Sequence, residues 1–139
     1  MNDDGLIDYT FVMYHYLEDP SDCVTFMACP ETVSKIELTS KYSSYKVAIH
    51  TGEAHIKPHN TSVIDQQVYL ANKADIYIYI YRKNGCPENA TYDFSDGYII
   101  VLMDDRYGYI QIKNSDNNGI VIMDYALALP GEDIITGKK

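Results

Sequence analysis

The chain is 139 residues long, 46% hydrophobic and 22% charged, which suits one domain spanning residues 1–139 around a single core and excludes disorder and fibrous repeats. Its apolar runs fall far short of the roughly 18 residues of a spanning helix, and Asp3, Asp4 and Asp8 stand where a signal peptide carries Lys or Arg, so a cytoplasmic protein with no membrane association is expected. A formal charge of −9 opposes non-specific binding to nucleic acid or to an anionic membrane.

From the N-terminus onward, β-branched and aromatic content marks 8–16, 23–28, 34–39 and 45–50 as strands, separated by Asp19-Pro20-Ser21, Cys29-Pro30-Glu31 and the polar stretch 41–44. Cys23, Cys29 and Cys86 are odd in number and lack zinc-knuckle spacing, so they read as reduced thiols. Residues 50–59 gather His50, Glu53, His55 and His59, a ligand set suited to a transition metal if the chain turns at Thr51-Gly52. These four are weak metal candidates, because the His-x-His pair of β-barrel metalloenzymes is missing, and no cofactor is expected. His59-Asn60-Thr61 imitates one half of the paired His-x-Thr of two-histidine phosphoesterases, but the second triplet does not occur. No catalytic residue is assigned.

Residues 62–71 carry an N-cap Ser62, Asp65 three positions on, and Ile64, Val68 and Ala71 at helical spacing, so at most one short helix is expected there. The stretch 75–82 then alternates Ile76, Ile78 and Ile80 with Tyr77, Tyr79 and Tyr81, and only a strand separates two such faces. The Ile face is expected in the core. The Tyr face suits a second layer or an interface, in a chain with fourteen Tyr, three Phe and no Trp.

Asn84-Gly85 is a hairpin signal, and Gly97, Gly108 and Gly119 recur at equal intervals, each opening an apolar run. Residues 97–129 therefore read as a three-stranded antiparallel meander with loops at 104–107 and 114–118. The run 98–103 is apolar on both faces, as expected of a central strand covered on both sides. Asn114-x-Asp116-x-Asn118-Gly119 resembles the opening of a calcium loop, but Tyr125 falls where the bidentate Glu belongs. The whole pattern predicts an all-β fold, an antiparallel β-sandwich or closed barrel of about eight to ten strands.

Charge is unevenly distributed along this framework. Residues 1–34 hold seven acids and no Lys or Arg, 35–83 hold four acids against seven bases, and 84–137 hold nine acids against two. Two kinds of binding follow from that layout. The leading expectation is a non-catalytic protein whose acidic, tyrosine-rich surface engages a protein partner, basic partners included, through Tyr77, Tyr79 and Tyr81, as an inhibitor, immunity, viral accessory or assembly protein does; homo-oligomerisation is a related option. The alternative is a small phosphate-containing ligand or nucleotide, held by Lys46 and Arg82 of the basic middle segment and stacked on Tyr. A metal-dependent or phosphodiester-cleaving enzyme using His50, His55 and His59 stands third.

Overall fold

The computed structural model of the chain describes residues 7–18, 31–50, 53–54, 56–63, 69–82, 96–115 and 119–138; at 16–18, 31–33 and 78–82 the description is of the backbone alone. The expected strand at 23–28, the Asn84-Gly85 turn, His55 and all three cysteines lie outside the described residues.

The described residues form ten strands in chain order: β1 (Tyr9–Glu18), β2 (Glu31–Ser40), β3 (Tyr45–His50), β4 (Glu53–Ala54), β5 (Ile56–Lys57), β6 (Tyr69–Ala71), β7 (Lys73–Arg82), β8 (Asp96–Met103), β9 (Arg106–Ser115) and β10 (Gly119–Leu127). They form one sheet in the order β1-β2-β7-β4-β3-β8-β9-β10, with β5 added to β8 and β6 to β3. The fold is all-β and barrel-like, and no helix among the described residues is long and apolar enough to cross a membrane. The short helix allowed for at 62–71 is replaced at both described ends: Ser62 bridges to Ile135, and β6 pairs with β3. Residues 64–68 lie outside the description. Burial of Val63 and strand pairing override the local capping signal.

The 97–129 meander is present as the antiparallel strands β8, β9 and β10, in continuous register between β8 and β9 and with one bulge between Ile122 and Asp124 in β10. The β8–β9 turn is tighter than expected, because Asp104 takes the left-handed conformation (φ 57°) that a two-residue hairpin demands.

Curvature comes from Asn72. It separates β6 from β7, so that β3 pairs with the first of these two strands and β2 with the second. The two N–H groups of Asn72 Nδ2 are shared among Ser40 Oγ (3.0 Å) and the carbonyls of Tyr42 (3.2 Å), Ser43 (3.2 Å) and Tyr45 (2.8 Å), while the Asn72 backbone carbonyl accepts from Ser40 N (2.8 Å). One side chain thus fixes the corner between β2 and β3.

Inside the fold lie Ile36, Leu38, Val47, Ala74, Ile76, Ile99, Val101, Ile110 and Ile112, joined by Tyr9, Phe11 and Ile120 from the two edge strands. Each large apolar side chain buried there contributes roughly 1.5–3 kcal/mol. Tyr9 reaches across this core, its hydroxyl donating to the carbonyls of Lys46 and Leu102 (3.1 Å each) and its ring stacking on Tyr45.

A second cluster, Ala48, Val63, Tyr98, Ile100 and Tyr109, occupies the opposite face of β8 and β9. This is why 98–103 is apolar on both sides. The C-terminal segment joins the cluster through Ile134 and is pinned by reciprocal backbone bonds, Asn60 N to Thr136 O, Thr136 N to Thr61 O and Val63 N to Ile134 O. The buried Thr136 hydroxyl adds a bond to Pro58 O (2.7 Å).

Candidate functional site

The residues singled out from sequence are dispersed. Tyr77 stands across from Lys35 on the outer face of β7, half-buried, with Lys35 Nζ 6.0 Å from its ring centre and bonded to Asp75 Oδ2 at 2.9 Å. The register then slips: Tyr77 pairs with Lys35 but Tyr79 pairs with Ser34, leaving Ile78 as the extra residue of a bulge. Lys35 is half-buried and Ser34 fully buried, on opposite faces of β2, so the strict Ile/Tyr alternation is not matched to one face of its neighbour beyond Tyr77. Tyr81 pairs with Thr32 and Arg82 with Glu31 at the far end of the strand.

Lys46 and Arg82 do not meet. Lys46 Nζ donates to Asn72 Oδ1 (2.6 Å) just before β7 begins, and Arg82 ends that strand, about 30 Å of extended chain away. Three further described lysines of the basic segment are engaged as well, whereas Lys41 is exposed. Lys35 pairs with Asp75 and Lys73 with Glu37, an ion-pair ladder across β2 and β7. Buried Lys57 donates to Ser62 O (3.1 Å).

The histidines divide in the same way. His50 and Glu53 are directly opposed across the β3–β4 hairpin. His59 instead shares a 2.8 Å hydrogen bond with the Tyr98 hydroxyl, beneath Gly137. Gly137 is in the left-handed region (φ 81°), and a Cβ there would collide with the His59 ring. Thr61 N donates to Thr136 Oγ1, so the His59-Asn60-Thr61 triplet is occupied in holding the C-terminal segment. Burial, with Asp96 and Asp124 nearby, raises the Tyr98 pKa. Among the described residues no group of three or more His, Cys, Asp or Glu is placed to hold a metal ion.

What sequence reading missed lies at the two ends of the sheet. Directly opposed residues of antiparallel strands share a face. Met13 and His15 on β1 oppose Ile36 and Ser34, and Ile122 and Tyr125 on β10 oppose Ile112 and Ile110, four buried partners. All four edge residues are nevertheless exposed, Met13 at 43% and Ile122 at 49%. Both edge strands therefore run past the core they help to close, and display core-facing apolar side chains at its rim. Val12 and Tyr14 on β1 and Val121 on β10 are exposed on the other face. The edges approach one another at Gly119, where a Cβ would meet Met13 Cε at 3.0 Å.

Comparison of the chain with known protein families, with characterised proteins and with solved structures found no match.

Proposed function

We propose that the protein is a non-catalytic β-sheet binding module that engages a protein partner through its sheet edges. One observation carries this reading. Of the thirteen exposed large apolar residues described, seven lie on β1 or β10: Val12, Met13, Tyr14, Val121, Ile122, Met123 and Tyr125. Exposed apolar side chains scattered singly are ordinary, whereas apolar side chains gathered on two strand edges that approach one another mark a surface that becomes dry in a complex. Tyr14 and Tyr125 supply the amphipathic aromatic rings on which interfaces draw.

Engagement of Lys35, Lys46, Lys57 and Lys73 within the chain favours this reading over a phosphate-binding surface, since each cation already has an acid or a carbonyl oxygen as partner. The odd cysteine count supports a reducing, cytoplasmic setting.

The test is site-directed photo-crosslinking in the cells that make the protein, with the photoreactive residue placed at Tyr14, at Val121 and, as control, at Tyr69, which is 77% exposed but lies on the short β6. Discrete adducts with a protein partner are expected at Tyr14 and Val121 and not at Tyr69. No adducts, or the same adducts at all three positions, would overturn the reading.

A further inference from the structure

We infer that the outer edge of β1 is a strand-addition site, which pairs with an extended segment of a partner protein whose centre is apolar and whose two ends carry Lys or Arg. The inference rests on the protein-partner reading above and specifies its mode.

Ten residues of β1 pair with β2 without a single irregularity, and β1 stands last in the sheet order. Among the described residues no strand covers its other side, so alternate backbone N–H and C=O groups face outward along its length. Sheet edges are ordinarily guarded by a bulge, a proline, a lysine or an inward-pointing charge. From Tyr9 to Leu17 the strand contains no proline, no Lys or Arg and no acid, and its register has no bulge. The opposite edge differs: β10 is bulged between Ile122 and Asp124 and carries the Asp124 carboxylate. Of the two described sheet edges, β1 is the one with the regular, unguarded backbone that templates a further strand.

Side chains and charge specify the occupant. An added strand lays alternate residues on the two faces of the sheet, one set beside exposed Met13 and the other beside exposed Val12 and Tyr14, which calls for apolar residues at its centre. Acids bracket β1 in the sequence, Asp3 and Asp4 before it, Glu18 as its last residue and Asp19 and Asp22 after it, in a stretch of 34 residues without any Lys or Arg; Asp8 is buried and is not part of this set. That charge layout opposes self-pairing and complements basic ends on the incoming segment.

The direction of the sheet supports an added strand as well. From β1 to β10 the sheet order makes six antiparallel steps and one parallel step, so the two edges run in the same sense. They cannot close on each other as an antiparallel pair, whereas a strand antiparallel to β1 continues the alternation.

The probe is a fluorescent peptide of about ten residues, the length of β1, alternating Val and Thr with paired Lys at both ends, titrated against the full chain by anisotropy. Saturable binding is expected, weakened tenfold or more in Met13→Lys and in Tyr14→Lys and unchanged in Ile122→Lys and Tyr69→Lys. Exchanging the peptide's Lys for Glu tests the charge requirement without touching the protein, and is expected to abolish binding. No saturable binding, binding indifferent to the Met13 and Tyr14 variants, loss in Ile122→Lys alone, or equal binding of the Glu peptide would each overturn the inference. So would a dimer in sedimentation equilibrium that Met13→Lys dissolves, since a second copy would then occupy the edge. Because the peptide shares only strand form and charge with a native partner, its failure rejects the strand-addition mode, while missing crosslinks reject the protein-partner reading itself.

Discussion

Asn72 does at one position what a run of turn residues usually does. It is the only link between β6 and β7, and its amide nitrogen meets four oxygens of the 40–45 corner. Removing it takes the Nδ2 donor from Tyr45 O and Ser40 Oγ and the Oδ1 acceptor from Lys46 Nζ, all in partly buried bonds, so Asn72→Ala is expected to cost about 2–3 kcal/mol, read as a midpoint lowered by roughly 5–10 °C in thermal unfolding. Tyr9 is the second such residue. Burial, with Asp8, Tyr45 and Asp104 adding repulsion, raises its pKa above the ordinary tyrosine value of 10.0. A raised pKa means the folded state keeps its proton where the unfolded chain has lost it, so this contribution is intact below pH 10.0 and drains away above it. Tyr9→Phe, which loses the bonds to Lys46 O and Leu102 O, is therefore expected to be about 1 kcal/mol less stable at neutral pH, with a shallower alkaline decline in denaturant titrations between pH 9 and 11. An unchanged alkaline slope would separate Tyr9 from that decline.

At the scale of elements, the C-terminal segment acts as a lid on the second cluster. Its grip depends on Gly137, whose left-handed backbone and closeness to His59 exclude a side chain. Gly137→Ala is expected to loosen the segment and uncover Tyr98 and Tyr109, with a loss of about 1–3 kcal/mol and a rise in binding of a hydrophobic dye. Dye binding equal to that of the parent protein would show that other contacts hold the segment. These elements also show what sequence can and cannot reveal. Period-two patterns and glycine spacing located β3 and the β8–β10 meander, because there local alternation and burial agree. The two-sided burial of 98–103 was readable for the same reason. The rim was not, since Val12, Met13 and Tyr14 look like core from composition alone, and only the sheet order reveals that β1 is an edge. Nor was the bulge at Ile78, because a perfect Ile/Tyr alternation carries no mark of where its neighbour slips register. Nor is the separation of Lys46 from Arg82 legible, because sequence does not show that the whole length of β7 lies between Arg82 and the Asn72 side chain that Lys46 bonds.

For the whole molecule, one apolar cluster draws on both edge strands and on the strands between them, so the described fold should unfold as a unit. A single cooperative transition is expected, coincident by far-ultraviolet circular dichroism and tyrosine fluorescence; two separated transitions would show that the β1–β2–β7 portion is independent of the meander. The charge of −9 makes association with a basic partner faster at low salt, and added salt should slow it. Everything proposed for function depends on β1 having one free side. Residue-resolved amide hydrogen exchange of the isolated protein tests that most directly, because only the amides turned toward β2 are bonded. An open edge predicts alternation along 9–18, slow then fast at successive residues, against uniform protection at 98–99 and 101–103 of β8 and at 108–113 of β9, which are paired on both sides. Uniform slow exchange along β1 would show its outer edge already occupied, and would contradict both the binding surface and the strand-addition site.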